Sequence, residues 1–250
     1  KMLQAIGKGA FSVGYALYKT QLGKSMHDQT CAACANLPPH SSSIMVPLVA
    51  GYHVSILPIL HDNYAYLIVD ETSRTCLAVD PADAKAVARA IESENLTLSG
   101  ILTTHTHWDH AGGNEELKRM FPNIHVYGST TDSIPALTDA VADGEMFWFP
   151  AHTVVEDPKL IVEVWEAPCH TKGHVLFVIN QKPPQTPEGG SEAPRPTPVA
   201  VFTGDTLFSG GTGKFFEGSA AEMAKNLERM ATLPNDCKVF CGHEYTLNNY

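Results

Sequence analysis

Short apolar runs bounded by turn residues recur along the chain from His53 onwards, and they predict β-strands. The first three runs, at residues 53–57, 64–69 and 75–79, have connections so short that they predict antiparallel neighbours. This part of the chain is therefore expected to be built on β-sheet. Further runs of the same kind predict strands at residues 100–104, 124–127, 160–166, 175–180, 199–202 and 238–241.

Helices are predicted between these strands. Residues 84–91 have apolar positions at helical spacing, and a helix over 113–120 ends before Pro122, which cannot continue it. Ser219 and Glu222 have the spacing of a capping box. Strands that alternate with helices predict a mixed α/β sheet protein. The helix that begins at the capping box is expected to direct three apolar side chains inward, those of Met223, Leu227 and Met230.

Residues 1–52 differ in charge from the rest of the chain. They carry a net charge of +3, whereas the remainder carries −13. We therefore predict two units, a segment over 1–52 and a domain over 53–250. Apolar residues at helical spacing within 3–17 fit either a membrane-surface or targeting helix or a helix packed on the domain, and both interpretations stay open. Residues 35–50 contain prolines and serines and predict a linker.

Two other segments are interpreted from their composition. Cys31 and Cys34 have the spacing of a redox-active or metal-binding pair, but no second cysteine pair lies nearby, which disfavours that function. Residues 182–198 hold six prolines and predict a surface loop between two strands.

The composition narrows the possible classes of protein. Hydrophobic residues make up 44% of the 250 residues and charged residues 18%, as in a globular chain with a substantial core. A net charge of −10 argues against a nucleic-acid partner, which normally requires a basic surface. Six cysteines without a paired pattern do not form a secreted disulfide framework, which favours a reducing compartment.

Four candidate metal ligands fall within six residues, directly after the apolar run at 100–103. Histidine and aspartate together suit zinc, iron or manganese. A solvated polar loop is the alternative, but clustering so many titratable groups without a metal would be costly. The pattern therefore predicts a metal site at the end of a strand. The four candidates are His105, His107, Asp109 and His110.

Three more metal-competent residues stand just past the end of a predicted strand, namely His170, Asp205 and His243. Side chains at strand ends converge when the strands share a sheet edge, and rigid strands can position such ligands. We therefore predict one cluster that also includes the residues after strand 100–104.

These motifs resemble those of the metallo-β-lactamase superfamily and, within it, of the glyoxalase II (hydroxyacylglutathione hydrolase) family. The resemblance runs from about His53 to Tyr250, and its motifs keep the family's order. It implies an α/β fold, an αβ/βα four-layer sandwich with a dinuclear metal site at one edge. It also implies hydrolysis of S-(2-hydroxyacyl)glutathione, such as S-D-lactoylglutathione, in methylglyoxal detoxification. The matching runs are 104–110, 168–171, 202–205 and 241–245.

The resemblance implies two divalent cations, zinc first and iron or manganese as alternatives. Asp80 would accept a hydrogen bond from a ligand histidine, although a helix N-cap explains that residue equally well. Asp109 and Asp205 would be the catalytic carboxylates, and Asp109 would orient the nucleophile. His174 is expected to be a hydrogen-bonded structural residue. Transferred by position, the ligands of one cation are His105, His107 and His170, those of the other are Asp109, His110 and His243, and Asp205 bridges the two.

The resemblance extends to a glutathione-binding loop at residues 213–218. Lys214 would pair with a glutathione carboxylate, and Tyr245 would donate its hydroxyl to the same ligand. Phe216 stands where the family commonly has tyrosine, so one hydroxyl contact is expected to be lost. The chain is also expected to lack the family's C-terminal helical region, and this absence is expected to weaken substrate affinity more than metal binding.

Two other functions are alternatives to the hydrolase. One is a persulfide dioxygenase with a single iron, which the complete second ligand set and Lys214 disfavour. The other is a membrane-associated relative with weak or no catalysis, which would contact membranes through residues 1–30. We predict a monomer in the mitochondrion or cytoplasm that binds a small-molecule glutathione thioester and no nucleic acid.

Overall fold

Two β-sheets form the centre of the protein in the computed structural model, which describes residues 20, 25, 44–149, 158–183 and 195–250. The first sheet contains seven strands in chain order. Its pairs are antiparallel from β1 to β4 and parallel from β4 to β7. The strands are β1 (Ile44–Pro47), β2 (Tyr52–Ile59), β3 (Asn63–Asp70), β4 (Thr75–Val79), β5 (Thr97–Leu102), β6 (His125–Gly128) and β7 (Asp139–Ala140).

The second sheet has five strands in the order β12-β11-β10-β9-β8, and only the β11–β12 pair is parallel. Its strands are β8 (Met146–Phe149), β9 (Leu160–Glu166), β10 (Val175–Gln181), β11 (Thr197–Gly204) and β12 (Lys238–Cys241). The helices are α1 (Ala84–Ser93), α2 (Trp108–Ala111), α3 (Asn114–Met120), α4 (Ala220–Met230) and α5 (Thr246–Asn249).

Three apolar layers hold these elements together. The largest lies between the sheets, where Phe202 stacks on Phe240 with ring centroids 5.0 Å apart. A second layer packs Val87 of α1 and Leu117 of α3 against the outer face of the first sheet, and a third packs Met230 of α4 against the second sheet. Helices therefore cover the outer faces of two packed sheets, and the predicted αβ/βα arrangement of four layers is confirmed.

Most elements lie where the hydrophobic pattern predicts them. The strands at 75–79, 160–166 and 238–241 have the predicted bounds, and β2, β3 and β4 pair antiparallel as expected. Ser219 and Glu222 form the predicted capping box at the start of α4. β10 and β11 pair within one sheet, and Thr197 and Pro198, which were predicted as part of the loop 182–198, belong to β11. Residues 184–194 of that predicted loop lie outside the described residues.

The linker prediction over 35–50 is wrong for residues 44–47, which form β1. This strand pairs antiparallel with β2, and its Val46 packs against the core between the sheets. This short edge strand follows directly after serines and prolines, and only one of its residues turns inward. It therefore lacks the alternating apolar pattern from which a strand is predicted. The predicted helix within 3–17 and the pair Cys31 and Cys34 lie outside the described residues.

Replacing Phe177 by alanine is expected to lower the free energy of unfolding by about 3–5 kcal/mol, because its fully buried ring fills the layer between the sheets. Urea unfolding followed by circular dichroism measures the change. Phe215→Ala is the matched control: that ring is 41% exposed, so the same truncation should cost about 0.5 kcal/mol or less. Equal losses in the two variants would contradict the assignment of Phe177 to the core.

Candidate metal centre

The predicted ligands lie at one edge of the two sheets, in loops and in the short helix α2. His105 follows β5, His170 follows β9, Asp205 follows β11 and His243 follows β12. The sheets are joined at this edge, since the Val175 N–H donates to the Thr104 carbonyl at 2.9 Å. The convergence of strand ends predicted from the sequence is therefore observed.

The short helix α2 separates the ligands of the His-x-His-x-Asp-His run. His107 is the N-cap of this helix, and Asp109 and His110 lie within it. The helix places Asp109 and His110 in one group with His243, whereas His107 groups with His105 and His170, and its Nδ1 lies 3.0 Å from His105 Nε2. One segment thus supplies candidate ligands to two neighbouring positions.

Three histidine nitrogens form the first of these positions. His107 Nδ1 lies 3.0 Å from His105 Nε2 and 3.1 Å from His170 Nε2. All three side chains are buried. Imidazoles in this arrangement can hold one metal ion.

The second position lies next to the first. Asp109, His110 and His243 present atoms close enough to hold an ion together, with His110 Nε2 3.2 Å from His243 Nε2. Asp205 stands between the two positions: its Oδ1 lies 3.2 Å from His110 Nε2, and its Oδ2 lies 3.3 Å from His170 Nε2. The structure therefore brings all seven predicted ligands together, with Asp205 in the middle.

Hydrogen bonds on the far side of three imidazole rings set their orientation. Asp80 Oδ2 lies 2.9 Å from His110 Nδ1, Asp62 Oδ1 lies 2.9 Å from His243 Nδ1, and the Lys214 carbonyl lies 2.9 Å from His170 Nδ1. Each partner is an acceptor, so Nδ1 carries a proton and donates it. In the neutral ring the Nε2 lone pair is then directed into the cluster, as a metal ligand requires.

Asp80 accepts a hydrogen bond from His110, and the alternative interpretation as a helix N-cap is wrong. Asp83 caps α1 instead, accepting a hydrogen bond from the Ala86 N–H. Asp80 has a left-handed backbone (φ 47°), which aspartate tolerates better than most residues. Its carboxylate also accepts bonds from the Thr104 N–H at 2.8 Å and the Thr104 hydroxyl at 2.7 Å.

Burial and neighbouring charges determine the protonation of the cluster. Burial lowers the pKa of His107 to about 3, with a further contribution from His170, and it also holds the pKa of His105 well below its ordinary value. Burial opposes ionisation of Asp205, yet the charges of His243 and His110 hold the pKa of that carboxyl well below its usual range. The first position thus offers neutral imidazoles, and the bridging position offers a carboxylate.

The second position favours positive charge. Although burial opposes it, the Asp205 carboxylate and the hydrogen bond to Asp62 raise the pKa of His243 to about 9. The same carboxylate, with Asp80, raises the pKa of His110 well above its ordinary value. A metal cation bound at this position would be stabilised by the same negative charge, that of the Asp205 carboxylate.

The donor set fits two divalent metal ions. Asp109 Oδ1 is buried, and no hydrogen-bond donor reaches it from the described parts of the chain. In each group of candidate ligands the imidazole nitrogens and carboxylate oxygens lie within 4.8 Å of one another, an arrangement of acceptors that is costly unless a cation lies between them. Nitrogen and oxygen ligands of this kind suit zinc, iron or manganese.

The three predicted substrate contacts lie around this cluster. The Phe216 ring contacts those of His170 and His107, with centroids 5.1 and 5.8 Å away, and Tyr245 stacks on His243 at 4.8 Å. Lys214 has an exposed side chain on the loop whose carbonyl orients His170. A groove of about 570 Å³ opens beside His107 and is lined in part by Trp108 and Lys172.

Asp62 orients His243 and was not among the residues predicted from the sequence. It lies in the turn between β2 and β3, and its carbonyl accepts a hydrogen bond from the Glu244 N–H at 2.7 Å. Aspartate is common in turns, so no local sequence pattern predicted a role for Asp62 at the centre. His174, in contrast, is hydrogen-bonded as expected: its Nε2 accepts from the Asp205 N–H at 3.1 Å.

The sequence is similar to those of known proteins. Residues 60–243 match the family model of the metallo-beta-lactamase superfamily. The chain belongs to this superfamily. Within it, a cytoplasmic hydroxyacylglutathione hydrolase from Arabidopsis thaliana is 43% identical over 199 residues, 79% of this chain and 69% of the relative. A hydroxyacylglutathione hydrolase-like protein from Gallus gallus is 42% identical over 197 residues, 78% of this chain and 63% of the relative.

These relatives place the chain in the hydroxyacylglutathione hydrolase group of the superfamily, and the chain spans about two thirds of their length. Among solved structures, ETHE1 from Myxococcus xanthus is similar with a TM-score of 0.58 and 24% identity, over 81% of this chain and 76% of that chain. This likeness confirms the superfamily's fold. Among the described residues, no helix is long and apolar enough to cross a membrane.

Proposed function

We propose that this chain is a metal-dependent thioesterase that hydrolyses S-(2-hydroxyacyl)glutathione, such as S-D-lactoylglutathione, to glutathione and a 2-hydroxy acid. The observation that carries the proposal is the buried cluster of five histidines and two aspartates at the sheet edge, arranged as two adjoining positions. The hydroxyacylglutathione hydrolase relatives support the choice of substrate. In cells, such an activity would serve methylglyoxal detoxification.

The seven side chains would hold two divalent cations, zinc first and iron or manganese as alternatives. Bound there, the cations would polarise the thioester carbonyl and lower the pKa of a water towards about 7. Asp205 would bridge the cations. The ligand sets would be His105, His107 and His170 for one cation and Asp109, His110 and His243 for the other.

Asp109 is the residue we assign to the attacking water. Its Oδ1 is buried and receives no hydrogen bond from the described residues, so it can accept one from a water held in the centre. That bond would orient the water towards the thioester carbon. The leaving glutathione thiolate has a pKa near about 8.5 by analogy with cysteine, so the reaction requires no strong general acid.

Three residues around the centre would bind the glutathione part of the substrate. Lys214 presents an exposed ammonium that can pair with a glutathione carboxylate, and the Tyr245 ring is held against His243, where its hydroxyl can donate to the same ligand. Phe216 contributes an apolar surface against His107 and His170 in place of a hydroxyl. Glutathione binding would therefore depend on the Lys214 ammonium and on the Tyr245 hydroxyl, which lies close to a metal ligand.

The experiment that tests this function is hydrolysis of S-D-lactoylglutathione by the purified chain, with bound metal counted in the same sample. Turnover with about two metals per chain is expected. Two bound metals without turnover would contradict the choice of substrate. A single bound iron without thioesterase turnover would favour a persulfide dioxygenase instead, which the complete second ligand set disfavours.

Lys214→Ala is expected to raise KM for S-D-lactoylglutathione by about tenfold and to leave kcat nearly unchanged. The ammonium would contribute to binding in the ground state and the transition state alike, because the carboxylates of glutathione are several bonds away from the reacting thioester carbonyl. Steady-state kinetics over a range of substrate concentrations separate the two parameters. Lys225→Ala, at an exposed lysine on α4, is the control. An unaltered KM for Lys214→Ala would refute the assigned contact.

The location and the assembly of the protein are proposed from a relative and from the distribution of charge along the chain. The relative from Arabidopsis thaliana is named as cytoplasmic, and we propose either a cytoplasmic or a mitochondrial location for this chain. The basic, acid-poor composition of residues 1–30 supports the mitochondrial alternative and a contact with membrane surfaces. We further propose that the protein acts as a monomer without a nucleic-acid partner, in line with its net charge of −10.

A further inference from the structure

Asp132 is a buried carboxylate outside the predicted ligand set. It lies between β6 and β7, and its side chain is only 5% exposed. Three donors reach it: the Thr106 N–H at 3.0 Å and the Thr171 hydroxyl at 2.8 Å both donate to Oδ2, and the Gly173 N–H donates to Oδ1 at 2.9 Å. Hydrogen bonds to a buried carboxylate are among the stronger ones in proteins, so these donors are held firmly.

The three donors belong to the two loops that carry the first group of metal ligands. Thr106 stands between His105 and His107, and Thr171 follows His170 directly. The first loop leaves the seven-stranded sheet and the second leaves the five-stranded sheet. One carboxylate therefore ties together two loops from different sheets, next to the point where their imidazole nitrogens come within about 3.1 Å of each other.

Gly173 permits the close approach of the second loop to Asp132. A Cβ atom at this position would lie 2.5 Å from the Asp132 backbone nitrogen and 2.6 Å from its Oδ1, both too close for real atoms. The backbone of the loop is thus pressed against the aspartate, and the hydrogen bonds are made without an intervening side chain. This contact leaves little freedom for either loop.

We propose that Asp132 is a positioning residue for the metal centre, which sets the spacing of His105, His107 and His170 and thereby the affinity for the cation they hold. The inference rests on the proposed metal centre. It assigns no contact with metal or substrate to Asp132 itself. Its effect passes through the loops, as is general for hydrogen-bond partners around metal ligands.

Asp132→Asn tests this inference. The amide has a single acceptor oxygen, and in either orientation its NH2 group faces a backbone N–H, of Thr106 or of Gly173, so one of the loops loses a backbone hydrogen bond to residue 132. The full chain should then bind one of its two zinc ions about 10- to 100-fold more weakly, while the zinc held by Asp109, His110 and His243 keeps its affinity. A competition titration of the zinc-loaded protein with a chelator resolves the two ions and needs no substrate.

Asp70→Asn is the matched control. Asp70 is equally buried and accepts three hydrogen bonds, from the Thr72 and Ser73 N–H groups and the Tyr52 hydroxyl, but it lies away from the centre. Both variants should lose stability, and only Asp132→Asn should lose zinc affinity. Equal zinc affinities in the two variants would overturn the inference, because Asp132 would then contribute to stability and not to the metal centre.

A milder variant keeps the test decisive if Asp132→Asn does not fold. Thr171→Val removes one of the three donors without changing charge, and a smaller loss of affinity for the same zinc ion is expected. Unchanged zinc affinity in Thr171→Val would then count against the inference. Wild-type protein that binds no zinc, iron or manganese would refute the metal centre itself, an outcome distinct from a centre that binds metal independently of Asp132.

Discussion

His107→Ala is expected to lower kcat for S-D-lactoylglutathione by about 10³-fold or more and to reduce bound metal from about two ions per chain to about one. His107 Nδ1 lies within 3.1 Å of both His105 Nε2 and His170 Nε2, so its removal leaves that cation with two histidines and the shared Asp205. Loss of one cation removes several kcal/mol of transition-state stabilisation, and each 1.36 kcal/mol corresponds to a factor of ten.

Metal analysis and steady-state kinetics on the same preparation check this result. His125→Ala is the control, because that imidazole is about one third exposed and paired with Asp139 at a distance from the centre. It should retain metal and turnover. A His107→Ala protein that still binds two ions and turns over normally would remove His107 from the ligand set.

Asp205→Asn should weaken both metal ions and lower kcat by at least the same factor of about 10³. The carboxylate oxygens lie on the two sides of the centre, 3.2 Å from His110 Nε2 and 3.3 Å from His170 Nε2. An amide in this place has no charge, and its NH2 group cannot coordinate a metal ion. The substitution thus differs from His107→Ala, which spares the second position.

The number of bound ions distinguishes these two variants. We expect fewer than one ion per chain in Asp205→Asn and about one in His107→Ala after dialysis against metal-free buffer. Asp70→Asn again provides a buried aspartate away from the centre, and it should keep both ions. Retention of two tightly bound ions in Asp205→Asn would contradict the bridging position.

The strands and the metal-competent residues at their ends could be predicted from the sequence. Apolar runs and turn residues have a local physical cause, so β4, β9 and β12 were located to the residue. The position of His170 or Asp205 just past such a run is likewise a local property. β1 could not be predicted, because its single inward residue Val46 becomes apolar core only when β2 lies beside it.

Residue type and order along the chain thus suffice to predict a sheet protein with histidines and aspartates gathered at one edge. Only the packed structure decides which groups hold those ligands in place. Asp62 lies 181 residues before His243 and Asp132 lies 41 residues before Gly173, so neither contact exists until the two sheets pack together. Hydrogen bonds between distant loops depend on three-dimensional distance, and a turn aspartate has no sequence pattern that marks its eventual partner.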